Sequence, residues 1–129
     1  MKEEEAMRLL KALLDGEGAE WIEERGFVRF RLRRGGMLWE TACRAEGSAM
    51  LIYGRFPFRC GDPDKARKIC DGMNRRLLRG ALYLDEDGSP VYRVSAELDD
   101  VFGAEARLAA ALQYSAQVVA GLWAKLSGV

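Results

Sequence analysis

The chain contains no histidine, and only three cysteines and three prolines among its 129 residues. Each scarcity removes a class of function. Without histidine the commonest acid–base group near neutral pH is missing, and a mixed Cys/His zinc site is excluded. The cysteines, Cys43, Cys60 and Cys70, are odd in number and have no CxxC spacing. They complete neither a disulfide framework nor a four-ligand structural metal site, and buried free thiols are the reading they support. No stretch reaches the ~18 apolar residues of a membrane-spanning helix, so no membrane partner is expected; the residue content gives no expectation of a metal or cofactor either. The acidic start, Met1 to Glu5, runs into an amphipathic helix and is unlike a secretory leader, which makes a cytoplasmic location the expectation.

What is present describes one globular domain over residues 1–129. Hydrophobic residues make up 49% and charged residues 31%, outside the disordered range. Charge is balanced overall but unevenly placed. Residues 1–24 carry net −5, residues 25–79 net +9 and residues 80–129 net −4. Either the segments neutralise one another on folding, or the basic middle forms a surface for an acidic partner.

The stretch Cys60–Glu97 organises the rest. Asp62 is a good N-cap and Pro63 suits the first helical position. Ala66, Ile69, Cys70, Met73 and Leu77 then recur at helical spacing. Arg75, Arg76 and Arg79 are read as the last helical turn and Gly80 as its close. Gly72 inside this helix suggests a close approach by another element. Ala81–Leu84 and Val91–Ala96 read as two strands around the acidic turn Asp85-Glu86-Asp87-Gly88.

Before this stretch, Glu3–Leu14 is an amphipathic helix with the stripe Ala6, Leu9, Leu10, Leu13 and Leu14. Trp21–Glu24 is open between a short strand and a loop. Phe27–Arg33 alternates Val28, Phe30 and Leu32 against Arg29, Arg31 and Arg33. Gly35-Gly36 turns into a strand over 37–44, and a further strand over 49–58 is apolar on both faces. The final helix, over 104–126, is apolar around most of its girth, which points to burial on more than one side. The expected fold is α+β and two-layered. Its order is α-β-β-β-α-β-β-α, with an antiparallel five-stranded sheet and helices on one face.

No catalytic residue emerges. Asp85, Glu86 and Asp87 lack the spacing of a calcium loop and read as a solvated turn. Cys60, just before a helix start, is the one candidate for a lowered thiol pKa, but no base accompanies it. Gly35-Gly36 is not followed by the Lys-Ser/Thr of a phosphate loop.

Asn74, the segment from Gly80 to Arg93 (G-A-L-Y-L-D-x-D-G-x-P-V-Y-R) and the Ala-rich last helix together resemble the YbjN-like family of small bacterial proteins. That family is similar in fold to the class I type III secretion chaperones. The resemblance implies a dimeric, non-enzymatic protein that binds polypeptides or regulates. The expected partner surface combines Arg29, Arg31 and Arg33 with exposed Trp39, Leu51 and Tyr53. The expected homodimer interface uses Leu112, Val119, Leu122 and Trp123 of the last helix. Two alternatives remain. One is a nucleic-acid or acidic-ligand binder using the Arg29/Arg31/Arg33 face, although a pI near 6.3 is not basic. The other is a cysteine-based enzyme at Cys60.

Overall fold

The computed structural model describes residues 1–129. Its order is α1 (Glu3–Gly16), β1 (Trp21–Glu24), β2 (Phe27–Arg34), β3 (Met37–Glu46), β4 (Ala49–Arg55), α2 (Pro63–Asn74), β5 (Ala81–Leu84), β6 (Pro90–Glu97) and α3 (Ala104–Leu126). The strands form one antiparallel sheet in the order β1-β2-β3-β4-β6-β5. The class is the expected α+β, but the sheet has six strands and not five.

The extra strand is β1. Its four residues are too few and too polar to show alternation. It is set by the two-residue turn Arg25-Gly26, whose φ values are +54° and +82°. Two positive φ values in succession are the mark of the hairpin turn that matches strand twist. Arginine occupies the first position, where Asn, Asp or Gly would have announced the turn.

Pairing places one set of side chains from every strand in a common layer. Val28, Cys43, Ile52 and Val94 form one cross-strand row, and Phe30, Thr41, Gly54, Tyr92 and Leu82 form the next. Apart from Gly54 and Thr41, these belong to a core that also takes Ala6, Leu10 and Leu14 of α1, Cys70 of α2, and Leu108, Leu112 and Val119 of α3. Burying a Leu- or Val-sized side chain contributes about 1.5–3 kcal/mol, so this layer dominates stability. β4 lies between β3 and β6 and ends at Arg55, short of the expected residue 58. Phe56 and Phe58 leave the strand to pack on Trp123, with ring centroids 5.9 and 5.4 Å away.

α2 begins as expected, with the Asp62 carboxylate accepting from the Lys65 N–H at 3.1 Å. It ends at Asn74, before the arginines assigned to its last turn. The Asn74 side-chain amide accepts from the Leu82 N–H at 2.8 Å and donates to the Leu82 carbonyl at 2.9 Å. It thereby pairs the outer edge of β5 as a neighbouring strand would. Gly80, with φ +79°, opens β5 and does not close α2. Around Gly72 nothing lies within 4 Å of a notional β-carbon, so it serves no close approach.

Candidate interaction surface

With three helices sharing the core face, the opposite side of the sheet is uncovered. β2 contributes Phe27, Arg29, Arg31 and Arg33. β3 adds Glu40, Ala42 and Arg44, and β4 adds Leu51, Tyr53 and Arg55. β6 and β5 complete the face with Arg93 and Tyr83. At its middle Phe27 meets Tyr53 edge-on at 6.1 Å. The guanidinium groups of Arg29 and Arg44 lie over the Phe27 ring at 5.7 and 5.2 Å. These contacts hold the aromatic rings in place on an otherwise open surface.

Half of the arginine charge is answered within the chain. Arg29 pairs with Glu40 at 2.9 Å and Arg44 with Glu46 at 3.1 Å. Arg55 bridges Asp85 at 3.1 Å and Asp87 at 3.2 Å. Asp85 also accepts from the backbone N–H groups of Asp87 and Ser89. The acidic turn is thus a clasp between the β5–β6 hairpin and β4. Arg31 and Arg33 are exposed and take part in none of these ion pairs.

The structure brings Arg29, Arg31, Arg33, Leu51 and Tyr53 onto this single face but corrects Trp39. That indole is 1% exposed and lies in the core, on the side opposite its neighbours Leu38 and Glu40. Its register partner is Leu32, a core-side residue of β2. The residues assigned to a dimer interface are corrected similarly. Leu112 and Val119 are buried within the chain, and Leu122 and Trp123 are half-buried. Trp123 packs on Trp39, Phe56 and Phe58. The outer side of α3 instead carries Ala106, Ala110, Gln113, Gln117, Gly121 and Ala124, with the charged Glu105 and Lys125 near its two ends. Sequence periodicity found the apolar face of α3, but that face is used by this chain's own sheet.

Cys60 does not have the environment of a nucleophile. It is buried, its Sγ lies 3.9 Å from the Leu126 carbonyl, and burial pushes its thiol pKa up. Burial also raises Cys70, with Cys60 and Asp71 adding to the effect, and raises Cys43 furthest. No three Cys, Asp or Glu side chains converge in a way that could hold a metal ion. No helix is long and apolar enough to cross a membrane.

These features define a three-helix, open-faced α+β protein. The same fold is seen in the crystal structure of YbjN, described as "a putative transcription regulator from E. coli". The match has a TM-score of 0.56 at 15% sequence identity, and covers 79% of this chain and 84% of that one. No family model matches the sequence, and no curated protein does either.

Proposed function

We propose that this chain is a non-enzymatic, homodimeric binding module that holds a polypeptide partner on the uncovered face of its sheet, in a regulatory or chaperone-like role. The observation that carries this reading is the composition of that face. Phe27, Ala42, Leu51 and Tyr53 are only partly buried, interleave with arginines, and have no helix over them. Apolar groups fixed among charges suit a partner that brings both apolar side chains and carboxylates. The regulatory role attributed to YbjN agrees with this reading. The test is Tyr53→Asp, with Leu51→Asp as a second variant. Each puts a charge on the open face without touching the core. Loss of the partner captured by the native chain, with an unchanged circular dichroism spectrum, is expected. Undiminished capture by both variants overturns the reading. Light scattering should give twice the 14.4 kDa chain mass, and a single-chain mass at micromolar concentration refutes the dimer.

A second reading, a nucleic-acid or acidic-ligand surface, is favoured by Arg31 and Arg33 being exposed and free of carboxylates. Salt-sensitive DNA or RNA binding that is lost in Arg31→Ala/Arg33→Ala would select it.

A further inference from the structure

β6 is longer than its neighbour on one side. β4 pairs with it from Val91 to Glu97, whereas β5 pairs with it only from Pro90 to Arg93. The segment Val94–Glu97 therefore has a strand on one side only, over roughly 13 Å at ~3.3 Å per residue. Two of its carbonyls point outward along that free edge and are met by arginines. Arg79 donates to the Ser95 carbonyl at 3.0 Å, and Arg107 donates through Nε to the Glu97 carbonyl at 2.9 Å.

The two arginines are held very differently. Arg107 also donates to the carbonyls of Phe102, at 2.8 Å, and Asp100, so it is a fixed part of the loop before α3. Arg79 is exposed, makes that one bond to Ser95, and otherwise lies over the Tyr114 ring at 5.2 Å. Beside it is a notch of about 590 Å³ lined by Arg79, Ala81, Arg93 and Ser95. The acid in its wall, Glu46, is already paired with Arg44. Arg75, Arg76, Arg79 and Arg93 take part in no ion pair. Leu78, 94% exposed, projects from the same turn. Phe102, 88% exposed, is tied by Arg107 to the far end of the edge.

We propose that the free edge of β6 accepts an extended polypeptide segment of alternating acidic and apolar side chains, with Arg79 as the group that gives way to it. The segment continues the line of β5. A peptide N–H replaces the Arg79 guanidinium on the Ser95 carbonyl, and the freed guanidinium pairs with a carboxylate of the segment. The exchange keeps both the Ser95 carbonyl and the Arg79 guanidinium paired, as strand addition requires. Acidic side chains fall toward Arg79 and Arg93, which line one notch, and the alternate apolar ones fall on the other side of the added strand. The other two edges are poorer hosts. The edge of β5 is taken up by Asn74, and the edge of β1 carries Glu24, which takes part in no ion pair and repels an acidic segment, beside Glu23, which is paired with Lys11. This proposal rests on the polypeptide-binding reading above and assigns it a second contact.

The probe is a fluorescein-labelled, end-capped eight-residue peptide alternating glutamate and valine. Native protein should bind it, more weakly as salt rises, with amide shifts at Ser95 and Glu97. Arg79→Glu/Arg93→Glu should bind roughly tenfold less well or worse, and should take up the corresponding lysine–valine peptide instead. Failure of the native chain to bind, equal binding by the charge-reversed variant, or shifts confined to Phe27 and Tyr53 overturns the proposal. The two contacts separate in capture of the native partner. Capture lost in Tyr53→Asp but kept in Arg79→Glu/Arg93→Glu overturns the edge and leaves the open-face reading standing.

Discussion

Gly54 is a point of tight contact between α3 and the sheet, and it allows a quantitative test of the packing. It faces the core between Thr41 of β3 and Tyr92 of β6. A β-carbon there would stand 2.9 Å from Val119 Cγ2, 3.5 Å from Ser115 Oγ and 3.7 Å from Trp39 Nε1. Carbon atoms in favourable contact sit ~3.5–4.0 Å apart, so Gly54→Ala creates an overlap of about half an ångström or more with Val119. Val119 is fully buried, and a β-branched side chain on a helix has one strongly preferred χ1 rotamer. It cannot turn aside cheaply, so α3 must shift. Overpacking of this kind costs ~1–3 kcal/mol. Against this, Ala is favoured over Gly in a strand interior by roughly 0.5–1 kcal/mol. The net expectation is a loss of about 1–2 kcal/mol. Val119→Ala alone removes the clashing methyl and costs about 2 kcal/mol through lost burial and a cavity. In the double variant the new methyl enters space that Val119 has vacated. Its loss should fall short of the sum of the two single losses by about 1 kcal/mol, within the ~0.5–3 kcal/mol coupling seen between touching residues. Urea unfolding of the four proteins, followed by tryptophan fluorescence, measures each term. Additive losses, or a Gly54→Ala protein as stable as the parent, would refute this account of the helix–sheet contact.

Four further outcomes concern α2 and the β5–β6 hairpin. Gly80→Ala should cost more than about 2 kcal/mol, because left-handed backbone alone costs an L-residue ~1–2 kcal/mol. The new β-carbon also meets the Arg93 carbonyl oxygen and, at 2.7 Å, the Tyr92 hydroxyl. Gly72→Ala in the same urea assay should instead stabilise by ~0.5–1 kcal/mol, since its surroundings are open. Asn74→Ala strands both backbone groups of buried Leu82, so a loss of ~1–3 kcal/mol is expected, with faster amide exchange at Leu82. A protected Leu82 amide in that variant would count against the edge-pairing role. Burial, reinforced by the nearby Tyr114, pushes the Tyr92 phenol up to about 12 from the ordinary 10. The unfolded chain therefore loses this proton first as pH rises. The stability it contributes is complete below about pH 10 and declines as pH rises from there through about 12, a loss of roughly 2–3 kcal/mol in all. Tyr92→Phe should flatten that alkaline decline, and also loses the 2.7 Å bond to the Arg79 carbonyl. An unchanged alkaline slope in Tyr92→Phe would refute the assignment.

Local chemistry was legible where a single residue type fixes a backbone state or where polar and apolar residues strictly alternate. Asp62-Pro63 declares the start of α2, and Val28, Phe30 and Leu32 against three arginines declare both faces of β2. β1 was obscured because Arg25 adopts positive φ where the residue type gives no warning. The strand β3 was found, but its sides were not distinguishable. Leu38, Glu40 and Ala42 differ too little in polarity from Trp39, Thr41 and Cys43 for alternation to say which set is inside. Only the register with β2, where Trp39 opposes Leu32 and Cys43 opposes Val28, turns Trp39 inward. α3 shows the same limit on a larger scale. Its periodicity identifies Leu112 and Val119 as apolar-face residues, but not that Gly54 lets the sheet come up against them. A glycine in an apolar strand reads locally as a weakness. Here it lets Val119 of α3 come up against β4, on the side away from Leu51 and Tyr53. The open face is thus a consequence of where the helices settle. Of its members, only the β2 arginines announced themselves by alternation.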